Sequence, residues 1–460
     1  MNLKRISSAA ILSLFITASS AQMPVEVTGL LKKERITPVK LFKVTEGKTV
    51  EIASTLPEEK GKFGFIFYPE YEGLYVIGTG SAIAANDNYK FYFKGGEKLS
   101  LSILDSGYEL TGKLNSKENT VLTQWHDLVF PLEQKAVNFM KVQSTFVDFF
   151  PQLEDIAAKS KSFLNGKTTG NAKFDQQMKN YMAFDMAFYA ANFINTPRSA
   201  HPSLEEWSPY YSTLKAQDFS TNASVLYRNP WGKRMLSSLV MINLRQQNVK
   251  FEGGLAGLKN ALAYLPNDTL KGDAVLDQAE RYKGYNDYKE LIDTYGKYVI
   301  TKSQKKRNMD ILAPLALLKP GDAAFKFSYP DKEGKTVTMD DLKGKVVLVD
   351  VWATWCGPCK VEIPHLKKLE EEMKGKDVSI VSISVDEAKD KDKWLKMIAD
   401  DHLGGTQLFA SGWGDLAQYY KITGIPRFMV FDRQGKIVTV DSPRPSSPEL
   451  KALLEKTLAK

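Results

Sequence analysis

The chain has 460 residues, 43% of them hydrophobic and 25% charged, with a formal net charge of +8. It is too long for one ordinary domain and too balanced in composition for a disordered or fibrous chain, so two or three folded domains are expected. From Gly321 onward 22 basic residues stand against 22 acidic ones, so the basic excess lies upstream. No Lys/Arg cluster is interleaved with aromatics, which argues against nucleic-acid binding.

In chain order, the first 21 residues have the pattern of a secretory signal. Lys4 and Arg5 give a basic start, Ala9 to Ala18 form an apolar stretch, and Ser19-Ser20-Ala21 supply small residues for cleavage near Ala21. The apolar stretch is short and broken by Ser13 and Thr17, whereas a bilayer span needs about 20 apolar residues. No cysteine follows it for lipid attachment, and no later stretch is long enough to cross a membrane. A soluble periplasmic protein without stable membrane insertion is therefore expected.

Residues 22–115 alternate apolar and polar positions in short runs. Val39–Val44, Lys62–Phe67, Tyr89–Phe93 and Lys98–Ile103 are examples, with turns at Glu46-Gly47 and Gly95-Gly96. Strands at this spacing predict an antiparallel all-β sandwich or barrel. Residues 116–318 change to apolar spacings of three and four, which predicts an α-helical region with helices over 146–163 and 174–193. Ser203 and Glu206 fit a capping box for a further helix. Trp125, Trp207, Tyr210, Tyr211 and Trp231 suit a helical core, and a groove for a client protein is the alternative.

Lys319-Pro320-Gly321-Asp322 marks the last boundary. Over residues 319–460 strands are expected at 346–352 and 378–385, and helices at 357–373 and around 394–399. A hairpin turning at Arg433-Gln434-Gly435 and a helix starting at Pro448 behind Ser447 complete the pattern. Strands alternating with helices before a final hairpin imply a mixed α/β sheet covered on both faces.

The two cysteines of the chain, Cys356 and Cys359, are three positions apart. A bridge closing so short a loop stabilises little, so the pair suits reversible redox chemistry better than a staple. Cys356 falls where a strand gives way to a helix, and the unpaired N–H groups there favour the attacking thiolate. Cys359, one turn on, can resolve a mixed disulfide. Gly357 permits a close approach, and Pro358 starts the helix without leaving an N–H unused. Zinc needs about four ligands; no third cysteine exists, and His126, His201, His365 and His402 are scattered. Neither a metal nor another cofactor is expected.

Trp355-Cys356-Gly357-Pro358-Cys359-Lys360 resembles the active site of the thioredoxin superfamily. Asp350 stands where that family has a buried acid, Pro364 where it has a helix-kinking proline, and Gly424-Ile425-Pro426 where it has a cis-proline loop. Gly344-Lys345, Glu362 and Pro364 are more similar to the envelope TlpA- and ResA-like reductases, whereas Phe325 departs from their usual proline. The pattern does not resemble a peroxiredoxin, which would have proline and threonine at Val349 and Ala353. The order of β-module, helical region and C-terminal redox domain also resembles multidomain envelope thioredoxins.

The resemblance implies a thioredoxin-like α/β domain with Cys356, Cys359 and Asp350 as catalytic residues. Trp355, Gly357, Pro358, Ile425 and Pro426 would form the substrate-binding surface, with the Ile425 backbone pairing with a client strand. Burial should raise the pKa of Asp350 and fit it to accept a proton from Cys359; an acid that escapes to solvent at the strand end is the alternative. Thioredoxins proper place a lysine near this acid, and 378–385 contains none. Gly-Pro between the cysteines resembles the reducing members. The implied partners are disulfide-containing envelope proteins and an upstream membrane electron donor. A disulfide isomerase, or a client-binding protein with the redox domain as a subsidiary switch, are the competing functions.

Overall fold

A computed structural model describes residues 23–198, 200–250 and 252–460; the expected secretory segment lies outside the described residues. By contacts the chain divides into two compact units. The first takes in the described residues up to 250 with Ala263–Asn267, and the second Glu252–Leu262 with Asp268–Lys460.

The first unit opens with eight strands: β1 (Val25–Lys32), β2 (Val39–Thr45), β3 (Lys48–Thr55), β4 (Lys62–Phe67), β5 (Gly73–Gly78), β6 (Asn88–Phe93), β7 (Lys98–Leu104) and β8 (Gly107–Leu110). They form two four-stranded sheets, in the orders β4-β1-β7-β8 and β3-β2-β5-β6. Alternate residues of both sheets, among them Val27, Leu101, Leu41 and Phe91, share one core, as a sandwich requires. One pair departs from the antiparallel expectation: β1 runs parallel to β7, with Val27 opposite Leu99. The chain between them travels through the other strands, and so long a connection permits a parallel return that a hairpin forbids.

Six helices follow: α1 (Lys117–Val137), α2 (Phe146–Ser160), α3 (Ala172–Asn195), α4 (Ala216–Ser220), α5 (Ala223–Tyr227) and α6 (Gly232–Gln246). The helix α3 is buried nearly all round its C-terminal half and packs on α1 and α6. Trp125, Tyr211 and Trp231 are core residues. The capping box of Ser203 and Glu206 forms, but on a 3₁₀ turn at Leu204–Glu206 instead of a helix. Pro209 is the reason: it disfavours helical geometry at Ser208, whose ψ is 139°.

The second unit contains α7 (Gly254–Leu262), α8 (Asp268–Ala279), α9 (Tyr285–Tyr295) and α10 (Lys302–Ala316). A small hairpin of β9 (Ser328–Pro330) and β10 (Thr336–Thr338) comes next. The main sheet and its helices then run β11 (Val346–Trp352), α11 (Gly357–Glu372), β12 (Val378–Ser384), α12 (Lys391–Asp400), β13 (Thr406–Phe409), α13 (Asp415–Tyr419), β14 (Arg427–Phe431), β15 (Ile437–Thr439) and α14 (Pro448–Leu458). The sheet order is β13-β12-β11-β14-β15, with β11, β12 and β13 parallel and β14 and β15 antiparallel.

The central strand β11 is buried at every position. Val347, Val349 and Val351 face a core completed by Trp394 and Ile398 of α12 and Leu416 of α13. Val346 and Leu348 face Leu369 of α11 and Leu450 and Leu454 of α14. Strands buried on both faces lose the polar alternation of the first module, which is why 346–352 is an almost unbroken apolar run. Leu318 is buried in the Val347 core, and the Gly321 N–H donates to the Ile437 carbonyl at 2.8 Å, so the chain ahead of the hairpin is tied to the sheet.

Leu348 has no exposed surface. Leu348→Ala is expected to destabilise the sheet by about 2–5 kcal/mol through lost burial and the cavity left behind. The check is amide exchange of β11 and β12 in the full chain, which should accelerate.

Candidate active site

The apolar run of β11 carries the chain to the end of the sheet, and the turn after Ala353 delivers Cys356 as the N-cap of α11. Cys356 and Cys359 form a disulfide, and the Cys359 N–H donates to Cys356 Sγ at 3.1 Å. An N–H aimed at sulfur, together with the positive end of the helix, favours negative charge on Cys356 once the bridge opens. Each cysteine is only 4% exposed in the bridged form, so burial does not distinguish them, whereas Cys356 alone of the two holds the N-cap position. Gly357 and Pro358 are exposed beside them, and Trp355 projects with 59% of its surface exposed.

Strand β14 brings the second half of the site. Val351 lies opposite Arg427, so the antiparallel register leads Ile425 and Pro426 alongside Trp352 and Ala353, just ahead of the cysteines. The Ile425–Pro426 peptide is cis, and Ile425 packs against the core that contains both cysteines.

Asp350 sits two residues before the end of β11 and is buried. Its Oδ2 accepts a long 3.4 Å hydrogen bond from Ser382 on β12, while Oδ1 has no partner among the described residues. Burial pushes its carboxyl up from the ordinary 3.8 to about 7; the Ser382 hydroxyl opposes this and the charge of Glu362 adds to it. The strand-end escape is thus excluded. Glu362, one turn past Cys359, is buried too, but it accepts from Ser446 N at 2.9 Å and Ser446 Oγ at 3.0 Å.

A second buried aspartate escaped the sequence reading. Asp386 has no exposed surface and accepts from Thr354 N at 2.9 Å, Thr354 Oγ1 at 2.8 Å and Ser384 Oγ at 2.7 Å. It therefore fixes the turn two residues before Cys356. The available signal was the alternation Ser382, Ser384, Asp386 at the end of an otherwise apolar strand. His365 is exposed, and among the described residues no cluster of three or more His, Cys, Asp or Glu could hold a metal.

Residues 319–454 match the Redoxin family. The thioredoxin-like protein YneN of Bacillus subtilis (strain 168) is 30% identical over 120 residues, covering 26% of this chain and 69% of that protein. The chain belongs to the thioredoxin superfamily, as a TlpA/ResA-like protein. The thiol-disulfide oxidoreductase ResA of Bacillus anthracis is 29% identical over 136 residues, 30% of this chain and 77% of that one. Among solved structures, the thioredoxin domain of a thiol-disulfide oxidoreductase from Bacteroides vulgatus has 31% identity, covers 31% of this chain and 99% of its own, and has a TM-score of 0.28. This TlpA/ResA-like chain is a thiol–disulfide oxidoreductase, and the family match leaves residues 23–318 outside it.

The raised acid gives a pH-dependent stability. Asp350 binds its proton more tightly folded than unfolded, so its favourable contribution is complete below pH about 4 and is lost as pH rises through about 7. Asp350→Asn is expected to be more stable than the wild type at pH 8, on the order of a few kcal/mol, with the gap closing toward pH 4. Urea unfolding across that range checks the sign; a gap independent of pH would remove Asp350 as the raised group.

Proposed function

We propose that the chain is an exported reductase of disulfides in envelope proteins, periplasmic after loss of residues 1–21. The observation that carries this reading is the Cys359 N–H on Cys356 Sγ at the start of α11, with a buried acid near neutral acidity on the adjoining strand. The direction of transfer rests on Gly357-Pro358 between the cysteines, as in the reducing members.

In the reduced form, the Cys356 thiolate attacks one sulfur of the client disulfide, forming a mixed disulfide and releasing the first client thiolate. Asp350 lies on the face of β11 turned to α11, which carries Cys359, and there it takes the Cys359 proton. The Cys359 sulfur then attacks Cys356 Sγ, closing the Cys356–Cys359 disulfide and expelling the second client thiolate. The client gains two electrons from the pair; its two departing thiolates take up one proton passed on from Asp350 and one from solvent, which had received the Cys356 proton when that thiolate formed. A dithiol of an upstream membrane donor returns the pair to its reduced state. The Ile425 backbone and the exposed faces of Trp355, Gly357 and Pro358 receive the client. No nucleic acid and no bound cofactor enter the cycle.

Cys359→Ser is expected to accumulate mixed disulfides with clients and Cys356→Ser to accumulate none, read on non-reducing gels after acid quenching. Equal trapping by both would reverse or abolish the assigned roles.

Asp350→Asn should slow insulin reduction by about 10²-fold near pH 7, the typical contribution of a positioned acid–base group. The inflection near pH 7 in the rate profile should vanish with it. An unchanged profile would leave Asp350 a structural residue.

A further inference from the structure

Seven tryptophans occur in the chain, and five of them are buried or half-buried. The two exposed ones, Trp355 at 59% and Trp413 at 41%, stand on the same edge of one sheet. The registers establish this. Trp352 of β11 lies opposite Ser384 of β12, and Ser384 opposite Phe409 of β13. The ladder continues one step further, with Val385 N donating to the Trp352 carbonyl and Ala410 N to the Ser384 carbonyl, both at 2.9 Å. Trp355 follows its row by three residues and Trp413 by four, so both emerge at the C-terminal ends of parallel strands, where α/β sheets bind ligands. Two strand spacings separate their rows, roughly 10 Å.

The loop bearing Trp413 is held in place. Ser411 and Gly412 have φ of 59° and 116°, and Gly414 N donates to the Gly412 carbonyl at 2.9 Å. On the far side, the Tyr329 hydroxyl donates to Asp415 Oδ1 and accepts from Leu416 N at 3.3 Å. Asp386 fixes the Trp355 side through Thr354. An aromatic side chain carried on a fixed loop, with 41% of its surface open in Trp413 and 59% in Trp355, binds a partner at low entropic cost.

We infer that Trp355, next to the redox pair, and Trp413, two strands away across β12, are two aromatic walls at the C-terminal end of the sheet that receive an apolar side chain next to the client's cystine. The inference rests on the reductase reading above and adds a selectivity to it. The rows that carry the two tryptophans are roughly 10 Å apart with β12 between them, room for one extended segment whose own width in a sheet is about 5 Å, with a side chain lying against indole. The surface is continuous with the redox site, because Trp355 is bonded to Cys356. Its occupant is a disulfide-bearing protein segment with Phe, Leu or Met beside the cysteine.

The test uses the full chain and two synthetic peptides, each with one intramolecular disulfide, with Phe or Ser next to the attacked cysteine. The wild type is expected to prefer the Phe peptide by about tenfold in kcat/KM, mostly through KM. In Trp413→Ala that ratio should fall about fivefold, and Trp413→Phe should restore most of it. A ratio unchanged in Trp413→Ala overturns the inference, including the case in which both rates fall together as a structural role would cause. A wild type that reduces both peptides without preference also overturns it, while leaving the reductase reading intact. A wild type that reduces neither peptide overturns the reductase reading itself, and the selectivity with it.

Discussion

The position of the redox pair depends on one constraint: β11 is enclosed on all sides. Its backbone is paired in parallel with β12 and antiparallel with β14, and its side chains are buried on both faces. Such a strand has no freedom to slip, because a one-residue shift would exchange the two cores. The place where Cys356 emerges, and the Ile425–Pro426 loop beside it, are therefore set by the packing of the whole strand.

Two buried aspartates near that strand end illustrate how hydrogen bonding decides the use of a carboxylate. Asp386 is surrounded by donors from Thr354 and Ser384, so its interactions favour a fixed turn. Asp350 has one long contact and an orphan oxygen, so its charge is poorly compensated and its proton is held near neutrality. The same residue type near the same strand end is thus held by donors in one case and left with a raised, poorly compensated carboxyl in the other.

Much of this was legible in the sequence, for identifiable reasons. The unbroken apolar run at 346–352, the Cys-Gly-Pro-Cys junction and the 433–435 turn each carry a local signal, and the structure places strand, helix and hairpin there within a residue or two. The parallel β1–β7 pair was not legible, because strand direction depends on how the connection travels and leaves no mark on alternation. The helix expected behind Ser203 fails because Pro209, outside the capping motif, acts backward on Ser208. Asp386 was missed because one acid at a strand end looks like ordinary solvation until Thr354 is folded against it. The exposure of Trp413 was equally hidden, since a tryptophan between two glycines fits a core turn as well as a surface one.

Leu318 gives the linker a consequence for how the molecule can be cut. It precedes the Lys319-Pro320-Gly321 break, yet it is buried among side chains of the C-terminal sheet, and Gly321 is hydrogen-bonded to the strand at its edge. A protease acting between the helices and the sheet would find its target backbone held down, not presented as a free tether. A redox fragment begun at Gly321 would start three residues too late, leaving an apolar hole where Leu318 belongs.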